Sequence, residues 1–360
     1  MNNKVLMLIP TLHLTGGAQD QLKLLSKYLV NLNVPLDIKS IFEDPAKTES
    51  KSKITFFSYL FRTQFFVEIY SVVKVIKFSF QYKTIHLHGL GLSFYILGFM
   101  SIFFKTRLIV KIPRTGEGSF INNTHHNIFR QTSLRLAAFG VYKFIALTSD
   151  AESSLLQLGI KSSQIEIIPN GVEVPNKKAK KKRDGVLKIC FAGRLIARKQ
   201  VNIILQSASI MKSRGFNDFH VYIIGDGPEK QSLADKTLSL ELCEYVSFIG
   251  EVENERVLKH LNKMTALVLP SISEGMSNSL LQGCASGCVP FVWDIPQNIN
   301  IVEHTKNGFI FSSPSELAKY LTKIADSSIA DKISNAAHQN VRINFNIEKI
   351  AQRYKFLYEK

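Results

Sequence analysis

The chain alternates between short apolar runs and helical patterns, and this alternation occurs in two series along its 360 residues. Short apolar runs are typical of buried parallel strands, and each run here is followed by a turn and an amphipathic segment. The first series opens at Lys4–Ile9 and the second at Leu187–Phe191. Regular β-then-α spacing predicts parallel sheets with right-handed crossover connections. We therefore expect an α/β protein of two tandem doubly wound, Rossmann-like domains that face each other across a cleft.

The length agrees with two domains, each large enough to bury its own core. The turn at Pro169-Asn-Gly-Val172 is expected to close the first domain. The last segment is amphipathic and predicts a helix that crosses back to the first domain. The expected boundaries are an N-terminal domain at 1–175, a basic linker at 176–186, a C-terminal domain at 187–344 and the closing helix at 345–360.

Positive charge is concentrated in the first half of the chain. Residues 1–183 contain 25 Lys and Arg against 11 Asp and Glu, a net of +14, whereas residues 184–360 contain 20 against 18, a net of +2. Six of these positive charges lie in the run Lys177-Lys-Ala-Lys-Lys-Lys-Arg183, which we interpret as a solvated linker. Nucleic acid and anionic lipid are alternative partners for such a run. The chain has no zinc-finger spacing, RNP-like aromatic motif or helix-turn-helix pattern, so we expect no nucleic-acid partner.

Aromatic residues are concentrated in the same half. Residues 54–104 contain 11 of the 25 phenylalanines. Phe65–Lys83 mixes Phe, Val and Ile with lysines, a pattern that suits a helix lying on an anionic membrane surface. Gly89–Phe104 carries no formal charge but is short for a membrane-spanning helix, and its strand-plus-helix context favours a buried or interfacial helix. We expect a peripheral contact with an anionic membrane; the alternative is a soluble protein with a basic surface.

The four cysteines point to a reducing compartment. Cys190, Cys243, Cys284 and Cys288 have neither metal-ligand spacing nor a disulfide framework, so we expect them to be reduced and buried. The N-terminal apolar run is too short for the core of a signal peptide and predicts the first strand of a sheet. Both observations predict a cytoplasmic protein, and the basic, Phe-rich first half adds a peripheral location on the cytoplasmic face of the membrane as the alternative.

One strand–loop–helix unit has the features of an anion site. Thr265–Leu269 predicts a buried strand, the Pro-Ser-Ile-Ser-Glu-Gly loop turns the chain, and a helix is expected from near Met276 to before Gly287. Such a turn presents backbone N–H groups and the positive end of a helix dipole, which favour a diphosphate. Glu274 and Gln282 are expected to flank this site.

A weaker signal lies near the N-terminus. Gly16 and Gly17 open a helix after a strand, which permits close approach of the backbone to a ligand. A third glycine at the spacing of the dinucleotide fingerprint is absent, so a simple tight turn explains the pair equally well.

Six motifs, taken together, resemble the family-4 retaining glycosyltransferases of GT-B fold, which belong to the glycosyl transferases group 1. The resemblance covers nearly the whole chain and is densest from Arg194 onward. The motifs occur in the family's order and are Gly16-Gly17-Ala18, Ile168-Pro-Asn-Gly-Val172, Phe191-Ala-Gly-Arg-Leu195 with Lys199 following, Ile224-Gly-Asp-Gly-Pro228, Val246-Ser-Phe-Ile-Gly-Glu251 and Ser273-Glu-Gly-Met-Ser-Asn-Ser-Leu-Leu-Gln-Gly-Cys-Ala-Ser-Gly-Cys-Val-Pro290.

The resemblance implies roles for individual residues. Arg194 and Lys199 match the basic pair that neutralises the diphosphate of a departing nucleotide, and Glu274 matches the carboxylate that contacts the donor sugar. These three are the expected catalytic residues. No Asp-x-Asp triplet occurs, which disfavours the metal-dependent glycosyltransferase fold; we expect neither a metal nor another cofactor. The implied donor-binding residues are Gly16, Gly17, Gly193, Arg194, Lys199, Gly225, Glu274, Gly275, Met276, Ser277, Asn278 and Gln282.

The chain departs from the family at several positions. Gln282 replaces the second glutamate of the family's Glu-x7-Glu motif, which removes a charge-assisted hydrogen bond to the nucleotide ribose at a cost on the order of 1 kcal/mol. Lys199-Gln200 replaces the usual Lys-Gly. Pro113-Arg114 stands where many relatives have a histidine near the reacting sugar, so no acid/base residue is carried over. His13, His88 and Arg114 are acceptor-side candidates, and ordinary hydrogen-bonded histidines are the alternative interpretation.

These residues predict a retaining, metal-independent glycosyltransferase. It would move a hexose-type sugar from a nucleoside-diphosphate sugar to a glycan, lipid-linked or small-molecule acceptor, in cell-surface polysaccharide or glycolipid biosynthesis. Retention is implied by the resemblance alone. Two alternatives stay open: an epimerase of nucleoside-diphosphate sugars with the same fold, and a non-catalytic partner subunit of a glycosyltransferase.

Overall fold

The computed structural model describes residues 2–10, 16–41, 64–104, 106–113, 128–176, 178, 181 and 184–360. The chain divides into two compact units. Unit 1 comprises Met1–Asn170 together with Glu348–Lys360, and unit 2 comprises Gly171–Ile347. The chain therefore leaves unit 1 once and returns to it with its last residues.

Unit 1 contains a six-stranded parallel sheet in the order β2-β1-β3-β4-β5-β6. The order reverses between β1 and β3, which is where doubly wound sheets bind ligands. The strands are β1 (Asn2–Ile9), β2 (Leu36–Ser40), β3 (Tyr82–His88), β4 (Arg107–Lys111), β5 (Val141–Ala146) and β6 (Ile165–Ile167). The described helices between them are α1 (Gly17–Asn31), α2 (Gln64–Gln81), α3 (Leu92–Phe104), α4 (Ile128–Ala138) and α5 (Ser149–Gln157), with a 3₁₀ turn at Ser162–Gln164.

The core of unit 1 follows from strands that are apolar on both faces. In β1 every residue from Val5 to Ile9 is buried, as expected for a central strand covered by helices on both sides. Helix α1 buries Leu22, Leu25 and Leu29 at the spacing of one helical face.

Unit 2 contains a second six-stranded parallel sheet, in the order β12-β11-β10-β7-β8-β9. Its order reverses between β10 and β7. The strands are β7 (Leu187–Ala192), β8 (Phe219–Ile224), β9 (Val246–Gly250), β10 (Ala266–Leu269), β11 (Val289–Trp293) and β12 (Phe309–Phe311). The helices are α6 (Asn202–Ser213), α7 (Lys230–Ser239), α8 (Asn254–Leu261), α9 (Asn278–Ala285), α10 (Pro296–Ile299), α11 (Pro314–Lys323) and α12 (Ser327–Asn344), with a 3₁₀ turn at Ala197–Lys199.

The last helix, α13 (Ile347–Glu359), packs onto unit 1 through residues from Glu348 onward. Tyr354 is fully buried. The guanidinium of Arg107 donates to the carbonyls of Leu357 and Tyr358 at 3.1 and 3.2 Å. The prediction of an α/β fold with two doubly wound sheets is thus confirmed, and the closing helix does return to the first unit.

Three details differ from the sequence-based expectations. Helix α9 begins at Asn278 rather than near Met276, because the Ser277 hydroxyl caps it by accepting from the backbone N–H of Leu280 at 3.3 Å. The prediction that all cysteines are buried is wrong for Cys243, which is exposed in the connection between α7 and β9. In the basic run, Lys178 is not only solvated, since its ammonium donates to the Ser334 hydroxyl at 2.8 Å.

Within the described part of the chain, no helix combines the length and hydropathy that a membrane-spanning segment requires. The uncharged segment predicted at Gly89–Phe104 forms α3, which buries Phe94, Leu97, Gly98 and Ser101. It exposes Leu92, Phe99, Ile102 and Phe103.

Candidate functional site

The switch point of unit 2 brings together the two loops that the sequence singles out. Strands β7 and β10 are parallel neighbours, with Ile189 opposite Ala266 and Cys190 opposite Leu267. Their carboxyl ends therefore lie side by side. The loop after β7 carries Gly193 to Gln200, and the loop after β10 carries Pro270 to Ser277.

A buried ion-pair cluster joins these loops. The Lys199 ammonium forms a short salt bridge with Glu274, and one guanidinium nitrogen of Arg198 lies 3.6 Å from the other carboxylate oxygen. The side chains of Lys199 and Glu274 are only 12% and 10% exposed. Arg198 also donates to the Ser273 carbonyl at 2.9 Å, and its own carbonyl accepts from the Ile272 N–H at 3.1 Å. One carboxylate thus holds two cations beside a helix N-terminus.

Several buried polar atoms in the same loops lack partners. Among the described residues, Ser271 Oγ, Ser273 Oγ and Gln200 Oε1 make no hydrogen bond although each is buried. Gln200 ends the 3₁₀ turn in a left-handed conformation, with φ 44° and ψ 42°. Buried hydroxyls without partners are costly, and they are expected where a polar ligand supplies the missing partner. This loop pair is therefore suited to bind a polar ligand.

Glycines let the loops after β7 and β8 touch. A Cβ on Gly225 would lie 2.0 Å from the Gly193 carbonyl oxygen, and Gly225 has φ +134°. The loops are joined by backbone hydrogen bonds from Gly193 to Ile224 at 3.0 Å and from Leu195 to Asp226 at 2.9 Å. No side chain fits at Gly225 without moving backbone, so this residue shapes the site.

The start of α9 carries four of the implied donor-binding residues. Gly275 and Asn278 are partly exposed, whereas Met276 and Ser277 are buried. The Ser277 hydroxyl accepts from the Leu280 N–H in the first turn of α9, and the positive end of the helix dipole at this terminus favours an anion.

Gln282 has a partner outside the ion-pair cluster. Its amide donates to Asn254 Oδ1 at 2.8 Å, at the start of α8. Glu274 and Gln282 thus take their hydrogen-bond partners from different elements. Gln282 uses one of its two N–H donors here, and among the described residues its second N–H and its carbonyl oxygen have no other hydrogen-bond partner.

Arg194 lies on the loop after β7 and is exposed. Its guanidinium makes no contact with another residue in the described ranges, so the structure brings Lys199 and Glu274 together without it. The second cation on the carboxylate is instead Arg198, which sequence reasoning did not assign. In the sequence, Arg198 stands directly beside Lys199, and Glu274 is the single glutamate of the loop after β10. This pattern is the signal that would have identified Arg198.

Gly16 and Gly17 begin α1, at the carboxyl end of β1 and beside the switch point of unit 1. Gly16 is extended, with φ 168° and ψ 159°. Among the described residues, a Cβ on Gly16 would meet the flexible end of Gln19, at 2.9 Å.

His88 belongs to a buried polar cluster in unit 1. Its ring lies 4.2 Å from that of His86, whose Nδ1 is 2.6 Å from the Tyr358 hydroxyl. Lys111, opposite His88 in β4, donates to Asn170 Oδ1 at 3.0 Å. Burial, then the neighbouring His86 and Lys111, hold the pKa of His88 well below its usual value. Burial lowers the pKa of Lys111 to about 8.

This burial bears on the acceptor-side candidates. His88 is only 7% exposed, and its Nε2 has no hydrogen-bond partner among the described residues. The other two candidates, His13 and Arg114, lie outside the described residues. No group of three or more His, Cys, Asp or Glu side chains arranged to hold a metal ion occurs in the described ranges.

Two doubly wound sheets, one with an ion-pair cluster of Lys199, Arg198 and Glu274 at its switch point, define an α/β protein with the architecture that binds ligands at the carboxyl ends of its strands. Comparisons with known sequences narrow this class. Residues 173–342 match the family described as glycosyl transferases group 1. The match covers 170 of the 360 residues, and the two-sheet α/β fold is the GT-B fold of solved glycosyltransferase structures.

Individual relatives agree with this assignment. The chain is 24% identical over 239 residues to an uncharacterized glycosyltransferase of Haemophilus influenzae. The alignment covers 65% of this chain and 66% of that protein. It is 23% identical over 283 residues to the UDP-Gal:alpha-D-GlcNAc-diphosphoundecaprenol alpha-1,3-galactosyltransferase of Escherichia coli. That alignment covers 71% of this chain and 73% of the relative. The structure of Anabaena Alr3699/HepE in complex with UDP-glucose superposes with a TM-score of 0.73 at 16% identity, over 99% of this chain and 100% of that one.

The sequence matches do not extend over whole proteins. The aligned segments span 66%, 58% and 52% of the first three curated relatives. The structural likeness covers both units but shows the fold alone.

Proposed function

We propose that the protein transfers a sugar from a nucleoside-diphosphate sugar to a glycan or lipid-linked acceptor. The observation that carries this proposal is the ion-pair cluster of Lys199, Arg198 and Glu274 at the switch point of unit 2, within the segment that matches the glycosyl transferases group 1. A UDP-sugar is the donor class that we favour, because the Anabaena structure with the same fold is in complex with UDP-glucose.

The chemistry follows from the charges of the cluster. During transfer, the bond between C1 of the sugar and the diphosphate breaks, and negative charge develops on the departing diphosphate. Lys199 has three N–H donors, so it can contact Glu274 and a phosphate oxygen at the same time. The exposed guanidinium of Arg194 suits bidentate contact with the same diphosphate. Lys199, Arg194 and the N-terminus of α9 would together stabilise the leaving group without a metal ion.

Glu274 has a second role in this proposal. Its carboxylate is held by Lys199 and Arg198 and therefore keeps a defined position in the loop after β10. A fixed carboxylate accepts hydrogen bonds from sugar hydroxyls and orients the ring for reaction. We propose retention of anomeric configuration and metal independence on the resemblance to family-4 enzymes, and we assign no acid/base residue.

For the acceptor we propose a lipid-linked glycan, built at the cytoplasmic face of a membrane in polysaccharide or glycolipid synthesis. The basic, Phe-rich first half of the chain supports this choice. The name of the Escherichia coli relative, which specifies a diphosphoundecaprenol-linked acceptor, also supports it.

Two other functions make different predictions. An epimerase would convert the sugar of a nucleoside-diphosphate sugar without any acceptor, and a partner subunit would consume no donor. The ion-pair cluster favours an enzyme over a partner subunit, because a subunit without catalysis has no need of two cations on one buried carboxylate beside a helix N-terminus.

The test is a turnover assay with a panel of labelled nucleoside-diphosphate sugars and extracted glycolipid as acceptor, with and without EDTA. We expect one donor to be consumed and its label to enter the lipid fraction, with EDTA having no effect. Arg194→Ala should lower turnover, and Lys306→Ala, an exposed lysine in the turn before β12, should not. Donor consumption without an acceptor would favour the epimerase. Absence of consumption by wild type, with Arg194→Ala behaving identically, would exclude an enzyme.

A further inference from the structure

Three neighbouring helices of unit 1 expose large apolar side chains toward solvent. Helix α2 packs against α3, and α3 packs against α4. We call their exposed residues the aromatic face; each has between 49% and 81% of its surface exposed. The aromatic face consists of Val73, Phe80, Leu92, Phe99, Ile102, Phe103, Phe129, Leu136 and Phe139.

The exposed apolar residues of α3 lie on one side of the helix. In α3, Leu92, Phe99 and Phe103 follow one another at i, i+7 and i+11, on the side opposite the buried Phe94 and Leu97. A surface helix normally places polar residues on its outer side. Helix α3 contains no charged residue and places apolar ones there instead.

The three helices form one continuous surface. The rings of Phe80 in α2 and Phe104 in α3 lie 4.4 Å apart between centroids, and those of Phe99 and Phe103 lie 5.1 Å apart. On the other side, a Cβ on Gly140 would lie 3.2 Å from Ile102 Cγ1, which places the neighbouring Phe139 beside α3. Five of the six exposed phenylalanines in the described part of the chain belong to this face, so it is not a random scatter of apolar residues.

The sequence that contains these helices is mostly basic. From the start of α2 onward, residues 64–149 contain ten Lys and Arg, of which Lys111 is buried, against two acidic residues, Glu68 and Glu117. In α2, Lys77 is exposed and lies between Val73 and Phe80 at helical spacing. Apolar side chains at the centre with lysines beside them are the pattern of a surface that inserts into the headgroup region of anionic lipids.

The positive charge also favours an anionic membrane over a second copy of this chain as the partner of the aromatic face. A second copy of this chain, docked by the same face, would bring two strongly positive surfaces together, which is unfavourable. The face does not belong to a spanning helix either, since the 13 residues of α3 extend about 20 Å, short of the roughly 30 Å hydrocarbon core. None of the described helices is both long and apolar enough to cross a membrane, so a surface that is apolar and basic fits a membrane interface.

We propose that the aromatic face docks unit 1 onto the surface of an anionic membrane, with Phe99, Phe103 and Phe139 inserted and Lys77 among the headgroups. Leu92 follows His88 by only four residues, so one end of the face begins at the carboxyl edge of the unit 1 sheet. If the proposed transfer to a lipid-linked acceptor is correct, on which this last point rests, the acceptor headgroup would enter near that edge.

The test is co-sedimentation with vesicles. We expect wild type to bind vesicles of phosphatidylcholine with roughly 30 mol% phosphatidylglycerol, to bind pure phosphatidylcholine at least about tenfold less, and to be released by high salt. F99S/F103S should lower binding at least about tenfold. Phe356→Ser is the matched control, because Phe356 and Phe99 are both 59% exposed but Phe356 lies on α13; it should bind as wild type does.

Calorimetric titration of UDP into the same proteins separates the two proposals. All variants should give the same UDP affinity and the same far-UV circular dichroism, because the aromatic face lies in unit 1 and the ion-pair cluster in unit 2. Vesicle binding without UDP binding would refute the proposed function and leave the docking face intact. UDP binding without vesicle binding, or equal vesicle binding by F99S/F103S and Phe356→Ser, would refute the docking face. A wild-type dimer that F99S/F103S converts to a monomer would show that a second copy covers it.

Discussion

Removing charges from the ion-pair cluster one at a time and together tests whether Lys199 and Glu274 act as a pair. Lys199→Met leaves Glu274 buried with only Arg198 nearby, at 3.6 Å. Stranding one member of a buried pair costs about 3–5 kcal/mol, and the remaining cation reduces this to about 2–3 kcal/mol here. Glu274→Gln leaves two cations without their carboxylate and should lower the free energy of unfolding by about 1–2 kcal/mol. The double variant removes both charges and should cost only about 1 kcal/mol.

The difference between the sum of the single costs and the double cost is the coupling free energy. We expect about 2–4 kcal/mol. The assay is urea unfolding followed by the fluorescence of Trp293, the sole tryptophan of the chain, which lies in β11 of unit 2 with its ring centroid 5.4 Å from that of Phe311. The signal therefore reports on the unit that contains the cluster. Single costs that add to the double cost within about 0.5 kcal/mol would refute the pairing.

Three further predictions concern backbone geometry and a buried amine. Gly225→Ala should destabilise unit 2 by at least about 3 kcal/mol in the same urea assay, because its Cβ would lie 2.0 Å from the Gly193 carbonyl; an unchanged midpoint would contradict this. Gln200→Gly should stabilise unit 2 by a net of about 0.5 kcal/mol, because glycine adopts the left-handed φ of 44° without strain but loses more conformational entropy on folding. Destabilisation would show that the side-chain amide of Gln200 contributes more to stability than the backbone strain costs. Burial lowers the pKa of Lys111 from 10.5 to about 8. Between pH 8 and pH 10.5 the unfolded state therefore binds more protons than the folded state. The free energy of unfolding rises with pH across that window, by up to about 3 kcal/mol. Lys111→Met should be more stable than wild type near neutral pH, with the difference shrinking toward pH 10 in circular-dichroism melts, and a constant difference would refute the cause.

The alternation of apolar runs and helical patterns was sufficient to predict both sheets. Each of β7, β8 and β10 coincides with a short apolar run that is buried in the structure. Buried strands and amphipathic helices are local patterns that periodicity captures. The start of α9 was missed by two residues because a single side chain, Ser277, decides where the helix begins.

The site was harder to predict because its geometry depends on irregular backbone. The left-handed Gln200 ends the turn that aims Lys199 and Arg198 at Glu274, 75 residues further along the chain. No periodicity describes such a loop. Sequence reasoning therefore identified Lys199 and Glu274 but not the contact that Arg198 makes with the carboxylate.

The environment of His88 depends on a contact that is even more distant in sequence. The Tyr358 hydroxyl reaches His86 from 272 residues away, and Tyr354 of the same helix lies against the His86 ring. The strand pattern alone cannot predict which helix covers one face of β3. For this reason His88 could be proposed as a strand-end candidate from the sequence, while its burial and lowered pKa required the structure.

The most direct test of the central claim is calorimetric titration of UDP into wild type, Lys199→Met and the matched control Lys306→Met, whose lysine is exposed in unit 2. The ion-pair cluster is proposed to hold the diphosphate of the donor. We therefore expect saturable binding by wild type and Lys306→Met, and at least about tenfold weaker binding by Lys199→Met, which corresponds to about 1.4 kcal/mol. Equal affinity in all three proteins, or no binding of UDP or any other nucleoside diphosphate by wild type, would contradict the account.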